Sequence, residues 1–293
     1  IVNNYLEAAG ENVMFGGADP AGVGRVPADI EIRNNSFYKP LAWKIDDPRY
    51  KGTPWTVKNL FELKNAKRVL VEGNVFEQVW PHAQSGYAIL FTVRNQSNTA
   101  PWSTIQDVNF TKNVVQYSAA GLQVLGEDDK PCVPMERVSV NNNVWDDVGW
   151  SGRGIWMVLV SNSTDLVIDH NTALQESNII SADGEPHHGF VLTNNITPHN
   201  LYGLHGSGMG VGQSSLDYYF PGAIVARNAV IGGSDFPSVD FSPATIAEVG
   251  FVDYANGIYK LSPTSPYLGQ GTDGKDVGVD WDALQAAIAL PRS

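Results

Sequence analysis

"VLVEGNVF" at Val69–Phe76 is followed 39 residues later by "VNFTKNVV" at Val108–Val115, and 30 residues after that by "VSVNNNVW" at Val138–Trp145. All three share one frame: apolar, x, apolar, x, x, Asn, x, apolar. The frame also fits "IEIRNNSF" at Ile30–Phe37, "LVIDHNTA" at Leu166–Ala173, "FVLTNNIT" at Phe190–Thr197 and "AIVARNAV" at Ala223–Val230, and the opening "IVNNYL" fits its second half. The framing asparagines are Asn4, Asn35, Asn74, Asn113, Asn143, Asn171, Asn195 and Asn228, separated by 31, 39, 39, 30, 28, 24 and 33 residues. A recurrence at this spacing marks a repeat architecture in which no single unit buries its own apolar face.

Alternation inside each copy reads as a strand. Val69 and Val71 are expected to point inward, Leu70 and Glu72 outward, and the asparagine to sit at a corner, where its tolerance of left-handed backbone suits a tight bend. Phe37, Phe76, Val115 and Trp145, two residues further on, are expected to return to the core. A second apolar segment follows each corner: Asn12–Phe15, Asn59–Leu63, Tyr87–Phe91, Gly121–Leu125, Gly154–Val158, Asn178–Ser181 and Tyr202–His205. Two or three strands per repeat, with turns of variable length, describe one coil of an all-β, right-handed parallel β-helix of about eight coils, stacked about 4.8 Å apart. The 10–15-residue amphipathic helices that a doubly wound sheet requires are absent.

The 293 residues show no linker and read as one domain: coils over 1–280, then a short helical cap over 281–290 with Asp280 or Asp282 at its start, expected to plug the end of the stack. The chain opens in the middle of a strand pattern, so further coils or a cap before Ile1 are expected. A net charge of −12 without a Lys/Arg cluster excludes a nucleic-acid footprint and argues against anionic membranes. The single cysteine, Cys132, excludes internal disulfides and cysteine-rich zinc motifs.

The repeated hydrophobic-x-x-Asn-x-Phe corner and the ending "SPYLGQGTDGKDVGVD" (residues 265–280) resemble the right-handed parallel β-helix, pectate-lyase-like superfamily, most closely its secreted bacterial β-helix repeat proteins. The resemblance covers nearly the whole chain. It implies a secreted or periplasmic protein and a carbohydrate-directed activity, and it assigns no catalytic residue.

Candidate chemistry therefore comes from placement. Loops after the corner strands pile into one rim rich in aromatic residues: Trp43, Trp55, Trp80, His82, Tyr87, Tyr117, Trp150, Trp156, His199 and Tyr202. Such rings stack on the C–H faces of sugars, or they pack the loops onto the coils. The position three after the corner is Glu7, Tyr38, Glu77, Gln116 and Asp146 in successive coils, and should point outward. Glu77 and Asp146 would then stand about 9–10 Å apart, near the acid–base spacing of inverting glycosidases. Asp147 is an alternative to Asp146. Gln116, with Trp43, Trp80, His82, Tyr87, Trp150, Arg153 and Trp156, is expected to bind substrate.

The expected function is thus hydrolysis of a polysaccharide along the rim. Two readings stay open beside it: a lyase using Lys58, Lys64, Arg94 or Arg153, and a non-catalytic carbohydrate-binding or adhesive module. No cofactor is implied. Ca²⁺ is conceivable through Asp19, Asp183 and Glu185, although these lie on distant coils. Adjacent His187 and His188 would point to opposite faces of a strand and make a poor metal pair. Oligomeric state is left open.

Overall fold

A computed structural model describes residues 1–233, 235–238 and 240–289. Its strands fall into three parallel sheets, and the chain visits each sheet once per coil. The first sheet follows the corner asparagines and holds Tyr5–Glu7, Ser36–Tyr38, Val75–Val79, Val114–Ser118, Val144–Val148, Thr172–Gln175, Ile196–Pro198 and Ala229–Ile231. The second runs through the segments predicted after the corners, from Val13–Phe15 to Leu204–Gly206. The third precedes the corners, from Ala28–Arg33 to Ile224–Ala226. Parallel strands joined by such crossovers adopt the right-handed sense. The architecture is a right-handed parallel β-helix.

The corner asparagines form one continuous ladder. The backbone N–H and side-chain amide of Asn74 both donate to Oδ1 of Asn113, at 2.9 and 3.0 Å. The same pair of bonds links Asn4 to Asn35, Asn35 to Asn74, Asn113 to Asn143, Asn143 to Asn171, Asn171 to Asn195, and Asn195 to Asn228. Each buried amide thereby satisfies a corner that would otherwise strand polar groups away from water.

The left-handed residue at the corner is not the asparagine but the one before it: Asn3, Asn34, Gly73, Lys112, Asn142, His170, Asn194 and Arg227, with φ between 49° and 67°. The asparagine supplies hydrogen bonds rather than unusual torsions. A second left-handed column lies six residues before the ladder, at Asp29, Arg68, Asp107, Arg137 and Asp165. Here Arg68 grips Asp29 through two bonds of 2.6 and 2.8 Å, and Arg137 grips Asp107 at 2.6 and 3.1 Å.

Inside the coil, Phe37, Phe76, Val115 and Trp145 are fully buried, as expected. Phe37 stacks on Phe76 with centroids 4.4 Å apart, and Phe76, Phe110 and Trp145 continue the column at 5.7 and 5.8 Å. Fully burying one such ring is worth about 1.5–3 kcal/mol, so these columns carry much of the stack. In the first coil Lys39 is fully buried; its ammonium donates to Ala8 O, Ala9 O, Gly10 O and Asn12 Oδ1 at 2.6–3.0 Å, and burial pulls its amine down to about 7.

Two expectations about the C-terminus are corrected. The last strand of the three sheets ends at Ile231, with one further parallel bridge from Ala229 to Phe241, so the coils do not run to residue 280. Beyond that bridge an antiparallel hairpin, Phe251–Asp253 and Ile258–Leu261, packs against the outside of the first sheet. The tail then runs back down the corner as a strap. Thr272 bonds Asn194, Val279 N–H donates to Thr172, and Asp280 N–H donates to Asn142, at 2.8–3.2 Å. The helix Trp281–Ile288, capped by the Asp280 carboxylate on Ala283 N–H, therefore lies along the stack and plugs neither end. Its apolar side, through the fully buried Leu284, meets Val144, Tyr259 and Val279. Leu290, within the expected cap, lies outside the described residues.

Candidate functional site: an acidic groove on the first sheet

The outward column stands as the spacing predicts. Glu7 pairs with Tyr38, Tyr38 with Glu77, Glu77 with Gln116, and Gln116 with Asp146. The Gln116 amide donates to Glu77 Oε1 at 2.7 Å, which fixes both side chains on adjacent rungs. Two rungs separate Glu77 from Asp146, about 9–10 Å.

Simple alternation misses the next residue. Gln78, Tyr117 and Asp147 all have left-handed backbone, with φ of 64°, 55° and 47°. Each is an extra residue in its strand, so positions three and four after the asparagine both face outward before Val79, Ser118 and Val148 turn back inside. This is a β-bulge repeated in register over three coils. It ends there: Thr172–Gln175 lacks the extra residue, and the pairing shifts between Trp145 and Val148. Left-handed torsions at non-glycine residues are costly, and their clustering is typical of functional surfaces. The bulge sets Glu77 beside Gln78, Gln116 beside Tyr117, and Asp146 beside Asp147.

Hairpin and strap wall this platform. A groove of about 640 Å³ is lined by Gln116, Tyr117, Asp146 and Asp147 on the coil side, and by Tyr254, Tyr259, Trp281 and Gln285 on the C-terminal side. A second groove of about 450 Å³ shares Asp146, Asp147 and Tyr254 and continues to Glu176 and Asn200. Tyr254 thus stands between two grooves that meet at the aspartates. At the opposite end of the column, Tyr5 and Tyr38 lie with ring centroids 6.1 Å apart.

The electrostatics separate the acids. Burial raises the Asp146 carboxyl, the Tyr259 hydroxyl beside it offsets part of this, and the neighbouring Asp147 charge raises it further. Burial and Asp146 drive the Tyr259 phenol far above its ordinary range, so it donates and does not ionise. Asp147 is exposed. A protonatable acid beside a solvated one, with a third carboxylate two rungs away, is the arrangement general acid–base chemistry needs.

The rim residues divide differently from expectation. Trp156 is fully buried in the core, 6.3 Å from Trp145, and offers no face to a ligand. Trp80 is buried beneath the loops, packed with Leu41 and Val57 and flanked by Trp43 and Trp150. Tyr87 is buried too; burial raises its phenol, partly offset by the facing Arg153 guanidinium. His82 accepts from Val57 N–H at 3.2 Å and serves the loop. The expectations for Trp156, Trp80 and Tyr87 are corrected, because these rings hold the long loops onto the coil; His82 remains exposed. Trp43 pairs with the exposed Trp55 at 6.0 Å and packs on the same cluster as Trp150. Tyr117 forms part of the platform, and Trp150 reaches it through an edge contact of 6.5 Å. Exposed Arg153 lies outside the groove lining, and so does half-buried Glu77, which continues the column beyond the groove's edge.

Tyr254, Tyr259 and Trp281 escaped the sequence reading. The alternation in "FVDYANGIY" announces a hairpin, but the asparagine frame stops at Asn228 and does not say where that hairpin docks.

Lyase candidates do not converge. Lys58 pairs with Glu11 at 3.0 Å, Lys64 with Glu62 at 3.7 Å, and Arg94 with Asp128 at 2.8 Å, all remote from the groove lining. Among the described residues, no group of three or more His, Cys, Asp or Glu is placed to hold a metal ion. Asp19 is engaged by Ser97 and Thr99, and buried His187 by Ser163. No helix among the described residues is long and apolar enough to cross a membrane. No protein-family model matches the chain, and no curated protein matches it, so strand pairing and the asparagine ladder alone carry the assignment of the fold.

Proposed function

We propose that this protein is a carbohydrate-active β-helix that hydrolyses glycosidic bonds of a polysaccharide lying along the first sheet. The observation that carries the reading is the three-coil bulge, which sets Asp146, its carboxyl raised by burial, beside Asp147 in an aromatic-walled groove, with Glu77 two rungs away along the same column. Asp146 protonates the leaving oxygen, and Glu77 activates water from the opposite side of the sugar ring. Their separation of about 9–10 Å lies near the upper end of the inverting range, so the anomeric configuration is inverted. Gln116, between them and bonded to Glu77, orients that carboxylate. Tyr117, Tyr254 and Trp281 offer faces for sugar C–H groups.

The test is reducing-end release from a panel of neutral and amino-sugar polysaccharides. Asp146→Asn and Glu77→Gln should each lower kcat by about 10²–10⁴, the usual worth of a positioned acid or base, with unchanged melting. Full activity in both variants would remove the pair. Binding without product in the wild type would leave a carbohydrate-binding module, and an ultraviolet-absorbing unsaturated product would mean elimination.

A further inference from the structure

Resting on that reading, we infer that the glycan of this groove carries protonated amino groups. Among the described residues, those lining the two connected grooves include Asp146, Asp147 and Glu176 and no lysine or arginine. Glu77 extends the row by two rungs toward the N-terminal end. Glu176 is held over the platform: a Cβ at Gly149 would come within 2.6 Å of its Cγ, so the glycine after the bulge leaves room for this side chain to lie close. A polyanionic chain would meet the carboxylates of Asp147, Glu176 and Glu77 with no compensating cation in the lining, and like-charge juxtaposition is unfavourable.

An independent feature points to the same ligand. Exposed Tyr254 and half-buried Trp281 stand on the facing wall, each packed at an angle on the buried Tyr259, with centroids 6.1 Å from Tyr254 at 58° and 5.9 Å from Trp281 at 87°. The open ring faces of Tyr254 and Trp281, beside carboxylates, attract ammonium groups through the ring quadrupole and charge together. Spacing agrees as well. One rung advances about 4.8 Å, close to what one pyranose adds to an extended chain, so successive amino sugars would present their charges to successive rungs.

Calorimetric binding of three matched hexamers to the full chain, at low and at roughly physiological salt, tests this: glucosamine, N-acetylglucosamine and galacturonate. The glucosamine hexamer should bind at least tenfold more tightly than the acetylated one, and lose most of that margin as salt rises. The galacturonate hexamer should not bind. Asp147→Asn and Glu176→Gln should each weaken only the glucosamine hexamer, while Asp217→Asn on a remote exposed helix should leave it unchanged. Equal affinity for the amine and acetylated hexamers overturns the charge inference and leaves the glycan reading standing. Equal losses in all three variants show diffuse attraction to an acidic protein and overturn it too. Failure of every hexamer to bind removes both.

Discussion

Each interior asparagine of the ladder links the rungs on both sides of it. Asn113 accepts from Asn74 through one oxygen, donates to Asn143 from its backbone and side chain, and donates to Val71 O at 2.9 Å. Replacing Asn113 with alanine strands several buried groups at once, and each unsatisfied group costs about 1–3 kcal/mol. The Asn113→Ala variant should therefore lose about 2–4 kcal/mol in urea unfolding. A loss within error of zero would mean that the ladder follows the fold and does not stabilise it. Buried His187 sets an acid limit. Burial pulls it down to about 4, so the native state refuses a proton that the unfolded chain accepts. Stability is then level above about pH 6.5 and falls as pH drops toward 4, by up to about 3 kcal/mol. Measuring melting at pH 7 and pH 4.5 for the wild type and His187→Gln checks this: the variant should show a smaller difference between the two pH values. Sequence made the asparagines legible because one hydrogen-bonding side chain recurs in one frame. It misassigned the left-handed torsion by one residue, since Asn34, Lys112 and His170 share no side-chain property that announces it.

Among the elements, strands were legible and their exceptions were not. A period of two places Glu77, Gln116 and Asp146 on one face, but it would also send Gln78, Tyr117 and Asp147 inward. The bulge that turns them out is set by backbone torsion, which Gln, Tyr and Asp do not signal in common. The rim misled for a related reason. Trp80 and Trp156 are apolar enough to be pulled beneath the loops, and composition cannot distinguish a ring facing sugar from a ring facing a loop. The strap was unreadable because its partners, Thr172, Asn142 and Asn194, lie 107, 138 and 78 residues away. It rests chiefly on Leu284 against Val144, Tyr259 and Val279. Leu284→Ala should cost about 2–5 kcal/mol locally. Hydrogen exchange should accelerate over residues 281–288 and the hairpin, while Val114–Ser118 stays protected. Equal acceleration in both would show that strap and coils unfold as one unit.

At the scale of the whole molecule, the groove exists because stacking converts sequence separations of 39 and 30 residues into one-rung steps. The proposed chemistry and the proposed charge preference both depend on that conversion. Oxidative cross-linking in a Cys132→Ser background measures it as a ruler. Cysteines replacing Gln116 and Asp146 would sit one rung apart, within the roughly 4.4–6.8 Å between Cα atoms that a disulfide tolerates, whereas cysteines replacing Glu77 and Asp146 would sit about 9–10 Å apart, beyond it. The predicted result is quantitative intramolecular cross-linking of the first pair and none of the second. Cross-linking of the second pair, or of neither, would contradict the register on which the site is built.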